Sequence, residues 1–107
     1  MALDFIDKEQ LIAAAKLAKV LGHPLRIQIL HLLNQQTMTV GELAHLLNVE
    51  QSSLSHTLKK MREFQLVSQR RAGKEIYYSA TDSHIIETVQ RLLDHEAHVL
   101  QNAPHHD

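Results

Sequence analysis

Apolar residues recur every three or four positions along most of this chain, and that rhythm breaks only between residues 66 and 80. Asp7 is placed to cap a helix through "KEQLIAAAKLAKVLG", in which Leu11, Ala14, Ala15 and Ala18 keep helical spacing and Gly22 supplies a stop. Pro24 opens the next helix, "PLRIQILHLLN", from the first turn, where its missing N–H does no harm. Ile27, Leu30 and Leu33 sit at core spacing there, and the helix ends near Asn34. Thr39 and Glu42 in "TVGE" form a capping-box pattern, each able to satisfy an open N–H at the start of a short helix through Leu47.

After "NVE" the stretch "QSSLSHTLKKMREF" puts Leu54, Leu58 and Met61 on one helical face. At 100° per residue, Ser52, His56, Lys59 and Glu63 fall on the opposite face, with Ser55 and Lys60 at its margins. Two short helices joined by a tight turn, the second presenting small polar and basic side chains, describe a helix-turn-helix. "LVSQRR" and "EIYYSA" are then rich in β-branched or aromatic residues and flank "AGK", where Gly73 can take the positive φ of a hairpin turn. The hairpin would stand as a wing beside the second helix. A last helix runs from Thr81 or Asp82 to about Gln101, ahead of the tail "NAPHHD". The expected fold is mainly α with a two-stranded β wing.

Length adds that the 107 residues make one domain, small enough for a dimer interface to add usefully to its core, with residues 102–107 as a flexible tail. The absence of Cys removes thiolate metal sites and cysteine nucleophiles. No run of 18 apolar residues exists, and "MALDFIDKEQ" mixes charge into its apolar residues, so neither a membrane span nor a signal peptide is expected and the cytoplasm is the expected location. The net charge of −1 hides an asymmetry. Residues 50 to 78 carry six basic side chains (Lys59, Lys60, Arg62, Arg70, Arg71, Lys74) against three acidic ones, an excess of three positive charges that leaves −4 for the remainder. One face is thus suited to an anionic partner, although a solvated charged face has the same composition. Ser52, Ser53, Ser55 and His56 are the candidates for base edges in a major groove, and Lys59, Lys60, Arg70, Arg71 and Lys74 for phosphates. Two Tyr and two Phe offer little for stacking, which disfavours single strands.

The order of elements, with "LGHPLRIQIL" ahead of the helix-turn-helix, "SSLSHTLKKM" in its second helix and "VSQRRAGKEIYYS" in the wing, resembles the ArsR/SmtB family of dimeric winged-helix metal-responsive repressors, from about Leu11 to Leu100. The resemblance implies a homodimer through the first and last helices that binds double-stranded operator DNA when metal-free and leaves it on binding metal. Many members carry a "CVC" thiolate site where this chain has "TVGEL", so the arsenic, lead or cadmium reading does not transfer.

The last helix carries its own pattern. His84 and His95 are eleven residues apart, only about 20° of net rotation, and His98 lies about 40° to the other side, so all three share a stripe. Eleven residues also span about 16 Å, whereas Zn²⁺ holds imidazole nitrogens at about 2.0 Å, so one helix cannot close a site. Two antiparallel copies can: Asp82 and His84 of one chain then meet His95 and His98 of the other, an oxygen and nitrogen set suited to tetrahedral Zn²⁺. The same four positions match the interface-helix site of the family's zinc-sensing branch. On residue evidence alone the stripe fits solvated polar positions equally well, and Asp82 is a natural helix-start residue with or without metal. The resemblance further places a free ring N–H of His95 near the backbone carbonyl of Gln65, a relay to the second helix of the motif. Co²⁺ fits the same ligands, and His105 and His106 would favour an octahedral Ni²⁺ or Co²⁺ site, making a nickel or cobalt sensor the alternative.

Two further readings stay open. A zinc hydrolase would need an open coordination position and a general base; four protein ligands close the site and no neighbouring general base or substrate-binding loop is evident, so no enzyme is expected. A winged-helix module that binds protein would leave the basic region as a solvated face.

Overall fold

Short polar side chains set the starts of three helices. In the computed structural model, which describes residues 2–102, Asp7 accepts a hydrogen bond from the Gln10 amide at 3.4 Å and opens α1 (Lys8–Leu21). The Gly22 amide donates to the Ala18 and Lys19 carbonyls and closes it. Val20 and Leu21 are buried and Leu17 half-buried, whereas Leu11, Ala14, Ala15 and Ala18 are exposed. The regular stripe is present, but none of the other described residues covers it.

Pro24 sits in the first turn of α2 (Pro24–Gln35). Ile29, Leu30 and Leu33 are its buried residues, and Ile27 is only half-buried. This shifts the face read from the sequence, and the reason is tertiary: α2 is central, packed against α1 (Lys8–Leu21), against the last helix and against the sheet, so residues on neighbouring faces are covered together. The link after α2 is extended, as an N-cap residue requires. Its residues Met38–Thr39 form a short strand, β1, and Thr39 then caps α3 (Val40–Leu47) with the reciprocal capping box, both bonds 3.1 Å. Asn48 takes the left-handed conformation at φ 55, and three residues later α4 (Gln51–Glu63) begins.

Leu54, Leu58 and Met61 of α4 are buried at 1%, 0% and 0% exposure, which fixes the rotation of the helix. The helix ends with Gln65 at φ 58 and the Leu66 amide donating back to the Met61 carbonyl at 3.0 Å, a Schellman-type stop. β2 (Val67–Ala72) and β3 (Glu75–Ala80) follow, with Ala72 opposite Glu75 and only Gly73 of the two turn residues at positive φ, 64°, as a type II′ hairpin requires. The expected two-stranded wing has a third member, because β1 lies antiparallel on the other edge of β3, Met38 opposite Tyr78 and Thr39 opposite Tyr77. Helix-turn-helix and hairpin together make a winged helix-turn-helix.

The core gathers Ile29, Leu30, Leu43, Leu54, Leu58, Met61, Leu66 and Val67, all fully buried, and so locks α2, α3, α4 and the base of the wing into one unit. The final helix, α5 (Ser83–Asn102), contributes only Val89 as a buried residue, with Ile85 and Ile86 half-buried. From Gln90 to Gln101 every residue is exposed, including Leu92 at 50% and Leu100 at 74%. Among the described residues no helix is long and apolar enough to cross a membrane.

Candidate nucleic-acid interface and metal-ligating helix

Because Leu54, Leu58 and Met61 point into the core, the helical period turns Ser52, Ser53, Ser55, His56, Lys59 and Lys60 outward, and all six are exposed. Local bonds already steady part of this face: the Ser52 hydroxyl donates to Glu50 Oε1 at 2.8 Å and the Thr57 hydroxyl to the Ser53 carbonyl at 3.2 Å. Lys60 Nζ lies 5.5 Å from the centre of the Phe64 ring, one turn on, where the ring face favours a cation. Glu63 shares a shallow depression of 210 Å³ with His56, Lys59 and Lys60, so the end of α4 is not uniformly positive.

On the wing, Arg70, Arg71 and Lys74 are exposed near the hairpin tip. The two arginines do not share one face of the strand. Neighbours on a strand face opposite sides, so Arg70 and Arg71 diverge. Arg70 lies across from Tyr77 with its guanidinium 5.8 Å from that ring, whereas Arg71 pairs across from Ile76 and has no ring beside it.

At the start of α5 the Asp82 carboxylate accepts the His84 amide at 2.8 Å through Oδ1, and His84 Nδ1 approaches the same oxygen at 3.4 Å. The sequence thus brings together one carboxylate and one imidazole, with the His84 side chain 92% exposed. His95 and His98 lie about one turn apart further along, both exposed, and His84 and His95 are separated by about 16 Å of helix. Among the described residues no three His, Asp or Glu side chains of one chain converge to hold a metal ion. Around the helix axis the histidine stripe borders the edge of the apolar face formed by Leu92 and Val99, which are exposed at 50% and 40%. His105 and His106 lie outside the described residues.

Gln65 sits at the turn that ends α4, and its neighbour Leu66 accepts a hydrogen bond from the Thr81 amide at 3.2 Å. The residue before Asp82 is therefore tied directly to the residue after Gln65. Sequence reasoning missed a second basic group: Lys16 and Lys19 of α1 and Arg26 of α2 stand beside Lys60. The charge count along residues 50–78 left these three out because they come from segments distant in sequence, and only the packing of α1 and α2 against α4 joins them.

Residues 23–69, from His23 ahead of α2 into β2, match the profile described as bacterial regulatory protein, arsR family. The chain is 33% identical over 81 residues to the transcriptional repressor SmtB homolog of Synechocystis sp., a match covering 76% of this chain and 61% of that protein, and so spans less than two thirds of its length. It is 32% identical over 94 residues to the HTH-type transcriptional regulator NmtR of Mycobacterium tuberculosis, covering 88% of this chain and 78% of that one. Among solved structures, the homodimeric winged helix-turn-helix DNA-binding domain Mb0332 of Mycobacterium bovis superimposes with a TM-score of 0.76 at 27% identity, over 100% of this chain and 99% of that chain.

Proposed function

The chain belongs to the arsR family of bacterial regulatory proteins, and on that premise we propose that it is a repressor that holds a palindromic operator as a metal-free homodimer and releases it on binding Zn²⁺. The family is one of transcriptional regulators and not of enzymes, so the hydrolase reading falls away. The observation that carries the proposal is on α5, where a histidine stripe borders the apolar residues Leu92 and Val99, which are exposed among the described residues.

Pairing α5 and α1 with those of a second copy buries Leu92, Val99, Leu11 and the alanine stripe, all exposed in one chain. It also brings His95 and His98 of one copy to Asp82 and His84 of the other. In this reading Asp82 and His84 of one chain and His95 and His98 of the other hold the ion. The donor set fits it: the Asp82–His84 pair is already at 3.4 Å, Asp82 keeps a second carboxylate oxygen beyond the one that caps α5, and no thiolate competes. When bound, Zn²⁺ supplies a cross-link between the start of one α5 and the end of the other.

The chain's own residues do the rest. Ser52, Ser53, Ser55 and His56 read base edges, while Lys59, Lys60, Arg70, Arg71 and Lys74 neutralise phosphates and fix the register. A dimer is required because a palindrome offers two half-sites about 34–36 Å apart. Release requires that operator and ion prefer different dimer geometries, since equal affinity for both would shift nothing. His95 is the proposed relay, donating its second ring N–H to the Gln65 carbonyl. The Thr81 to Leu66 bond supports it, because it already couples the residue before Asp82 to the stop of the recognition helix.

Selection from random duplexes tests the proposal. In chelator a palindromic sequence should be enriched, and added Zn²⁺ should remove the enrichment. No enriched sequence at moderate salt would sink the repressor reading and favour a protein-binding winged helix.

A further inference from the structure

Four of the eleven Lys and Arg residues, and none of the acidic ones among the described residues, line a single cleft of about 510 Å³ between α1, α2 and α4. Lys16, Lys19, Arg26 and Lys60 surround it, and Val20 and Phe64 complete its wall. In a chain of net charge −1 this is a local excess of positive charge, bordered at Lys60 by Glu63 of the neighbouring depression. Two of the four cations are held in place. The half-buried Arg26 donates Nη1–H to the Val20 carbonyl at 3.2 Å, and Lys60 rests over Phe64 at 5.5 Å. A guanidinium carries five N–H donors, and this one gives a single bond among the described residues, so four remain for an acceptor.

We infer that this cleft is a phosphate-binding site that shares Lys60 with the operator-phosphate set of α4 and otherwise lies apart from its base-reading face and from the wing. Phosphate is the anion that matches it: several oxygens and more than one negative charge answer a guanidinium fork and three ammonium groups. The cleft is open to solvent and wider than a lone ion needs, and Phe64 offers an apolar wall for the remainder of a phosphorylated molecule. The site stays open if the chain dimerises through α1. At 100° per residue Val20 lies on the far side of that helix from the Leu11, Ala14, Ala15 and Ala18 stripe, with Lys16 beside Val20. Two sources carry this chemistry, a free phosphorylated ligand and the backbone of DNA flanking the operator.

The test uses the full apo chain, inorganic triphosphate as probe, and the double variant Lys16→Gln/Lys19→Gln, whose side chains are exposed and outside the core. Lys8→Gln, an exposed lysine away from the cavity, is the control. At constant ionic strength triphosphate should shift the amide signals around Lys16–Val20, Arg26 and Phe64 saturably. The double variant should weaken that binding by roughly tenfold or more, and the control should leave it unchanged. The same variant then sorts the source. A lower salt dependence on long duplexes, by up to about two units of log–log slope, assigns the site to flanking DNA phosphates, and an unchanged slope assigns it to a free ligand. Triphosphate shifts that spread over all basic surfaces and ignore the double variant, together with an unchanged slope, would overturn the inference.

Discussion

Replacing Leu92 with alanine should loosen the dimer without unfolding the chain. Leu92 lies on α5, is 50% exposed and stands outside the buried core, so the substitution removes three carbons of which about half the surface is uncovered in one chain. At about 0.8 kcal/mol per buried carbon, full burial of that remaining half in an interface contributes about 1.2 kcal/mol per copy. A two-fold interface counts every residue twice, so the loss is about 2.4 kcal/mol per dimer, roughly a 50-fold rise in the dimer dissociation constant. Sedimentation equilibrium over a range of concentrations reads it directly, and circular dichroism checks that the helical content is intact. Operator binding should fall at low protein concentration and recover at high concentration. An unchanged dissociation constant with a folded variant would refute the α5 interface, and with it the two-chain metal site.

Arg71→Ala should weaken all duplexes alike and lower the log–log salt slope by about one unit; an unchanged slope and affinity would show that the wing touches no phosphate. Gly73→Val should cost about 1–2 kcal/mol of stability in denaturant unfolding, because φ is 64 and a new Cβ meets nothing within 4 Å, so only backbone strain acts; Gly73→Asn should recover part of it, and a neutral valine would contradict the turn. With Co²⁺ the dimer should give a tetrahedral ligand-field spectrum at two ions per dimer, lost or altered in each of His84→Ala, His95→Ala and His98→Ala and only weakened in Asp82→Ala. An octahedral spectrum that depends on His105 and His106 would instead identify a nickel or cobalt sensor.

The parts of this fold that were legible in the sequence are those whose cause is local. The Thr39–Glu42 capping box, the Leu54–Leu58–Met61 face and the positive φ at Gly73 each need only neighbours within a turn or a hairpin, and each stands as the pattern indicated. The third strand was not legible, because Met38 and Thr39 carry no strand pattern and pair only where the fold brings Tyr77 and Tyr78 to them. The burial of Ile29 over Ile27 and the convergence of Lys16, Lys19, Arg26 and Lys60 are likewise products of packing between distant segments. The divergence of Arg70 and Arg71 was available from strand alternation alone. The metal site is a different case. Its four residues are written on one helix, but their closure belongs to two chains.

Metal-induced release stands or falls on the coupling between ion and operator. Operator affinity of the dimer is measured in chelator and at saturating Zn²⁺, and Zn²⁺ affinity is measured with and without operator. Zn²⁺ should weaken operator binding by about 1–3 kcal/mol or more, at least roughly 5-fold, operator should weaken Zn²⁺ binding by the same factor, and a His95 replacement still holding two tetrahedral ions should no longer release DNA. Equal operator affinity with and without Zn²⁺, or tighter binding with it, would contradict the account.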